Sequence, residues 1–257
     1  SVIQYRFFGL LDSAYEDYVK VATIYPQDLY RYNAAMTAYT IADSLNRKAP
    51  YKKPAKMTAD SIIPLMSGEE KLIDAINTYA RIFSDTTSKY PVDSLGNPKP
   101  VLGIPGKKTP EFLAYAGQIF YNHNNFGRSG QYFNTIVTRY PNSDKAQISQ
   151  QYLMQTYFDR KDFRSSEIVA TRLLNSSISS KEQKEQSVNV IFYSIYKRGE
   201  DFQTKKEAAK AAREFQRAYE EGTRIGYSKR DDRALSLFKS GIEYNNSKEL
   251  KRSIRSY

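Results

Sequence analysis

The stretch Pro110–Ser143, PEFLAYAGQIFYNHNNFGRSGQYFNTIVTRYPNS, carries two apolar stripes separated by a short polar break. Leu113, Ala116, Gly117 and Phe120 recur at spacings of three, one and three, which puts them on one side of a helix. Thr109 reads as its cap and Pro110 as its first helical residue, where a missing amide proton costs nothing. After the break at Asn122–Asn125, Phe126, Ser129, Phe133 and Ile136 form a second stripe that stops at Tyr140–Pro141. Proline ends a helix there because it lacks an N–H and crowds the preceding turn. The reading is a hairpin of two short antiparallel helices.

Working outward, the Tyr-Pro stop recurs at Tyr25–Pro26 and Tyr90–Pro91, as expected of one structural unit reused. Downstream, Leu153, Met154 and Tyr157 mark a first helix, DRKD a turn, and Phe163, Ser166, Ala170 and Leu173 a second helix. Val190, Tyr193 and Tyr196 then lead through KRGED, taken as the next turn, to Phe202 and a helix around Lys205–Glu221. Lys205 stands where this register wants a small residue, so a shift near Phe202 is expected. A last pair, Asp231–Tyr244 and Ser247 onward, would form a basic polar cap. Upstream, Ala14, Tyr18 and Val21 precede the first Tyr-Pro stop, and Leu29–Leu45 and Glu69–Phe83 are further helices. Two proline-rich interruptions, about 47–68 and 84–108, cannot continue a helix. The expected organisation is therefore irregular helical repeats over 1–108 and more regular ones over 109–257.

Composition agrees with a folded, helical chain. Of 257 residues, 40% are hydrophobic and 26% charged, which excludes disorder throughout. Tyr (22) and Phe (13) supply the bulky residues in the absence of Trp. Without cysteine there is no disulfide framework and no thiolate chemistry. No window reaches the roughly 18 apolar residues of a spanning helix. The opening SVIQYRFFGLL does not read as a signal peptide; it reads as a chain that starts inside a folded element. The formal charge of +11 is concentrated in the later two-thirds, a field that can steer acidic partners.

Chemistry-bearing groups are sparse. His123, alone of its kind, lies in NHNN at a helix end and is expected to face water. The acidic pairs Glu69–Glu70, Glu220–Glu221 and Asp231–Asp232 read as helix starts or solvated faces, not as a catalytic dyad. GIPGKKT, Gly103–Thr109, lacks the spacing and preceding strand of a phosphate loop. The expectation is a non-enzymatic protein with no metal and no cofactor.

The hairpins resemble tetratricopeptide repeats (TPR). Leu113, Ala116–Gly117, Phe120, Phe126, Ser129, Phe133, Ile136 and Pro141 stand at that family's signature offsets, whereas the next hairpin departs with Gln150, Met154 and Ile178. The "YPNS" ending and the long step between hairpins are similar to the bacterial envelope branch of the family, which includes outer-membrane assembly lipoproteins. The resemblance implies an all-α fold, a right-handed superhelical solenoid of antiparallel hairpins. It also implies a concave groove lined by first helices that takes a protein or peptide partner, and a place at the periplasm or outer-membrane periphery. The groove residues it implies are Gln118, Tyr121 and Asn122, then Gln151, Gln155, Phe158 and Asp159, then Ser194, Lys197 and Arg198. Amides and exposed aromatics suit a peptide backbone. The rival is a basic helical-repeat binder of an acidic polymer such as nucleic acid.

Overall fold

The computed structural model describes residues 10–24, 28–48, 61–84 and 105–256. Those residues form eleven α-helices and one 3₁₀ turn, and no strand occurs among them. In chain order the helices are α1 (Leu11–Ile24), α2 (Asp28–Lys48), α3 (Ser67–Ile82), α4 (Thr109–Asn122), α5 (Phe126–Arg139), α6 (Ala146–Asp159), α7 (Phe163–Asn175), α8 (Lys181–Thr204), α9 (Ala208–Arg224), α10 (Arg230–Asn246) and α11 (Leu250–Ser256). Helices packed in succession make two compact units, Ser1–Ala146 and Gln147–Tyr257. The division falls beyond residue 108 because α4 and α5 are fastened to the helix before them. Tyr79 of α3 meets Phe112 of α4 edge-on at 4.8 Å, and Tyr132 of α5 donates to Asn77 of α3 at 2.8 Å.

Four hairpins, α4/α5, α6/α7, α8/α9 and α10/α11, share one internal frame. Take Gly117, Met154, Gly199 and Gly241 as the reference positions. Seven residues on, Asn124, Lys161, Lys206 and Lys248 all take the left-handed conformation, with φ of 55°, 65°, 59° and 64°. In each case the next amide reaches back to close the helix: Asn125 to Phe120, Asp162 to Tyr157, Glu207 to Phe202 and Glu249 to Tyr244, at 2.8–2.9 Å. These are Schellman closures built without glycine, and the residue after each begins the following helix. Asn125 and Asp162 cap it, accepting from Arg128 N and Ser165 N at 3.2 Å.

Twelve residues from the reference stand Ser129, Ser166, Ala211 and Ser253, all buried. Ser166 donates to the Met154 carbonyl at 2.9 Å and Ser253 to that of Gly241 at 3.0 Å, pinning one helix to the other. Sixteen residues on, Phe133 and Phe215 lie so close to Gly117 and Gly199 that an added Cβ would meet their rings at 2.8 Å. In the second hairpin the same two positions hold Met154 and Ala170, both buried, so the large and the small residue exchange helices.

This frame relocates two expectations. KRGED is not a turn; α8 runs through it to Thr204, because Gly199 is a packing glycine under Phe215 and nothing in that run breaks a helix. The turn is Lys205–Glu207, so the counterpart of Phe163 is Ala208, and the step between the second and third hairpins is longer than the 39 residues that Phe163–Phe202 implied. The stop motifs also divide. Helix α5 ends just before Tyr140–Pro141, whereas α1 ends at Ile24 and α3 at Ile82, and Tyr25–Pro26 and Tyr90–Pro91 lie outside the described residues. Most of both proline-rich interruptions lies outside them too.

His123 does not face water. It is fully buried, as is Glu69, and its Nε2 lies 2.9–3.0 Å from the Glu69 carboxylate oxygens. Its Nδ1 lies 3.3 Å from the Ile63 carbonyl, and its own carbonyl accepts from Ile63 N at 2.9 Å. Asn124 Nδ2 donates to Ser61 O, and Glu69 Oε2 accepts from Met66 N. Residues 61–66 are thus an extended strap over the α4–α5 turn. No local signal announces this burial, since the strap arrives from a segment some sixty residues away. Thr109 likewise is the first helical residue and not a cap; its hydroxyl donates to Phe83 O at 2.6 Å.

Candidate functional site

In the second unit the first helices of the hairpins, α6, α8 and α10, are joined side by side through polar seams. At about 36 Å, α8 is long enough to serve both neighbours. Its N-terminal half meets α6 through amides: Gln147 Nε2 donates to Gln183 Oε1 at 2.7 Å and to Ile178 O at 2.7 Å, Gln183 Nε2 donates to Gln151 Oε1 at 3.3 Å, and Gln151 Nε2 donates to Gln186. The Ser180–Gln183 capping box fixes where that half begins.

The C-terminal half meets α10 through charged groups. Tyr193 donates to Asp232 at 2.9 Å, Gln203 to Glu243 at 2.7 Å and Lys239 to Glu200 at 3.2 Å. Asp232 also accepts from the buried Tyr227 at 2.6 Å. That hydroxyl, aided by Tyr193 and Lys229 and opposed by burial, holds the Asp232 carboxyl below the ordinary range. Burial above all, then the Asp232 bond, drives the Tyr227 hydroxyl far upward.

Between and beside the seams, this layer presents Ile148, Gln186, Asn189, Lys197, Leu235 and Phe238 to solvent. Leu235 and Phe238, 46% and 52% exposed, are three residues apart and share one face of α10. The mixture is apolar contacts set among amides.

The groove residues expected from sequence distribute as follows. Gln118, Tyr121 and Asn122 belong to α4 in the first unit, where Tyr121 packs edge-on against Phe126 at 5.5 Å. Gln151, Gln155, Phe158 and Asp159 belong to α6 in the second. There Gln155 donates to Asp159 at 2.9 Å, and Phe158 packs edge-on against Phe163 at 5.4 Å. Lys197 is exposed and pairs with Glu200 at 2.8 Å. Arg198 turns the other way, toward α7 and α9, where it pairs with Glu167 at 2.8 Å and Glu214 at 2.9 Å; Arg217 joins the same cluster. Ser194 is fully buried, five residues before the reference Gly199, as Ser149 and Ser236 are before Met154 and Gly241. It is a close-approach position between helices.

With the register corrected, the counterparts of Gln151, Gln155, Phe158 and Asp159 are Tyr196, Glu200, Gln203 and Thr204 in α8. In α10 the first two are Phe238 and Ile242. Sequence reasoning missed Gln147, Gln183 and Gln186. The four-residue spacing of Gln147, Gln151 and Gln155 was a signal for an amide stripe, but nothing in it named the partner helix.

Among the described residues no group of three or more His, Asp or Glu side chains could hold a metal ion, and no helix is long and apolar enough to cross a membrane. Compared with known protein families and with curated proteins, the chain matches no family model and no curated sequence.

Proposed function

We propose that this chain is a non-enzymatic, TPR-like scaffold that binds a protein or peptide segment on the layer formed by its first helices. On this reading the hairpins continue as a right-handed superhelix and the protein works inside a larger assembly, at the bacterial envelope by the resemblance its hairpins carry. What supports the reading is one observation above all: α6, α8 and α10 lie in a row, with amides and the exposed Leu235 and Phe238 on the same layer. Amides match a partner's backbone and apolar side chains anchor it, the combination that carries peptide affinity.

The rival, an acidic polymer held by the positive charge of residues 181–257, is weakened by how that charge is used. Lys197, Arg198, Arg217, Arg224, Lys239 and Arg252 all carry a glutamate partner. A neutralised cation releases few counterions from a polyanion.

The test is a selection of displayed random peptides against the full chain, followed by titration of the winners. Binding should fall at least ~10-fold in Gln186→Arg and Phe238→Arg and change little with salt. Winners that bind both variants as tightly as the wild type, or a steep salt dependence, would sink the reading.

A further inference from the structure

A second surface, in the first unit, has a different character. Between α3 and α5, with Leu113 of α4 as part of its floor, runs a cleft of about 580 Å³ edged by Arg81, Arg128 and Arg139. All three are exposed. Among the described residues none of them has a carboxylate in ion-pairing reach, and no acidic side chain lines the cleft. That departs from the habit of the second unit, whose Arg198, Arg217, Arg224 and Arg252 are each paired with glutamate. Arg128 lies over the Phe120 ring at 5.3 Å, which fixes its guanidinium near the cleft wall.

We propose that this cleft binds an acidic peptide segment. Arg128 and Arg139 stand eleven residues apart on α5, about 16 Å along the axis. An extended chain covers that length in about five residues. A guanidinium offers a planar pair of donors matched to a carboxylate, so acidic side chains near both ends of such a segment meet Arg128 and Arg139 while Arg81 faces them from α3. Leu113 and Ile73 give an apolar side chain in the middle a place to rest, and Gln131 supplies an amide for the peptide backbone.

The same cleft is poorly made for single-stranded nucleic acid, which takes its affinity from rings that stack on successive bases. Tyr132 already has one face stacked on Phe120 at 5.5 Å and its hydroxyl bonded to Asn77. Tyr140 is buried, its hydroxyl donating to Ser84 O at 3.0 Å. The inference goes beyond the scaffold reading, since it concerns another unit and uses none of the α6, α8 or α10 residues.

The probe is a fluorescein-labelled Asp-Glu-Leu-Asp-Glu peptide with blocked termini, titrated with the full chain by fluorescence anisotropy at low salt. Saturable binding is expected, weakened ~3-fold by each of Arg81→Gln, Arg128→Gln and Arg139→Gln and at least ~10-fold by the triple variant. Arg160→Gln, an exposed arginine of the second unit, should leave it unchanged, and melting curves will show that the triple variant is folded. The unlabelled amide version, Asn-Gln-Leu-Asn-Gln, should fail to compete. Absence of saturable binding, indifference to the triple substitution, equal loss in Arg160→Gln, or tighter binding of an oligothymidine than of the peptide would each overturn the proposal.

Discussion

Hairpins α4/α5 and α6/α7 solve the same packing problem with opposite parts. In the first a glycine on the leading helix receives a phenylalanine from the trailing one, Gly117 under Phe133. In the second the leading helix contributes the bulk, Met154, and the trailing helix the space, Ala170. Both positions are buried in both hairpins. The joint therefore constrains the combined volume at the crossing and not the identity of either residue, as close-packed interiors require. The turns differ as well. His123 and Asn124 are tied to Glu69 and the 61–66 strap, whereas Arg160, the counterpart of His123, is exposed to solvent.

The comparison can be broken most severely at the joint itself. Phe133→Ala should cost ~3–5 kcal/mol by urea denaturation, and Gly117→Met ~1–3 kcal/mol through overpacking. Copying the second hairpin with the pair Gly117→Met/Phe133→Ala should recover at least half of the summed loss, read as a coupling energy in a double-mutant cycle. Additive losses would mean that the two joints are not equivalent. At the turns, His123→Ala leaves the Glu69 carboxylate buried without its partner and should cost ~3 kcal/mol, while Arg160→Ala at the matching site should stay within ~0.5. Similar losses at the two sites would remove the strap from the account.

Arg198 sharpens the contrast between holding and binding. If its place is in the cluster with Glu167 and Glu214, Arg198→Ala should lower stability by ~2 kcal/mol and leave selected peptides bound, whereas Lys197→Ala should do neither. A smaller gain is expected from Lys161→Gly: removing the left-handed penalty at φ 65°, less the added freedom of the unfolded chain, leaves ~0.5 kcal/mol of stabilisation. The smallest effect belongs to the seam between α8 and α10. Because the Asp232 carboxyl is depressed in the fold, its contribution is complete above its unfolded value near ~3.9 and is lost as pH falls through the folded value. Asp232→Asn should therefore flatten the acid limb of a stability–pH curve below about pH 4 and change nothing at the seam between α6 and α8, where no carboxylate takes part.

How far the sequence could be read varied with the distance over which its signals act. In the 109–143 hairpin both helices and their stop were legible, because an apolar stripe, a polar break and a proline are all local, while the place of Thr109 inside the helix and the burial of His123 were not. The third hairpin was misread at Phe202 because an aromatic after a charged run imitates the start of a second helix, and only the packing of Gly199 on Phe215 reveals that α8 continues. Lysine at a left-handed position carries no signature, since glycine is the residue that conformation ordinarily selects. For the candidate site, Gln151 and Gln155 of α6 were visible while Gln147 and the partners on α8 were not. The arginines of the first unit were visible singly, but the cleft that groups them was not.

The helices, the places where most of them stop and the absence of thiol chemistry were written in the chain itself, because 3.6-residue periodicity, capping and proline sterics act within a few residues. The packing of Phe133 on Gly117, the burial of His123 against Glu69, the turning of Arg198 away from Lys197 and the gathering of Arg81, Arg128 and Arg139 were decided only in three dimensions. Each joins residues on different helices, and which helices become neighbours is fixed by volume and charge balanced over a whole unit, a sum that no short stretch contains.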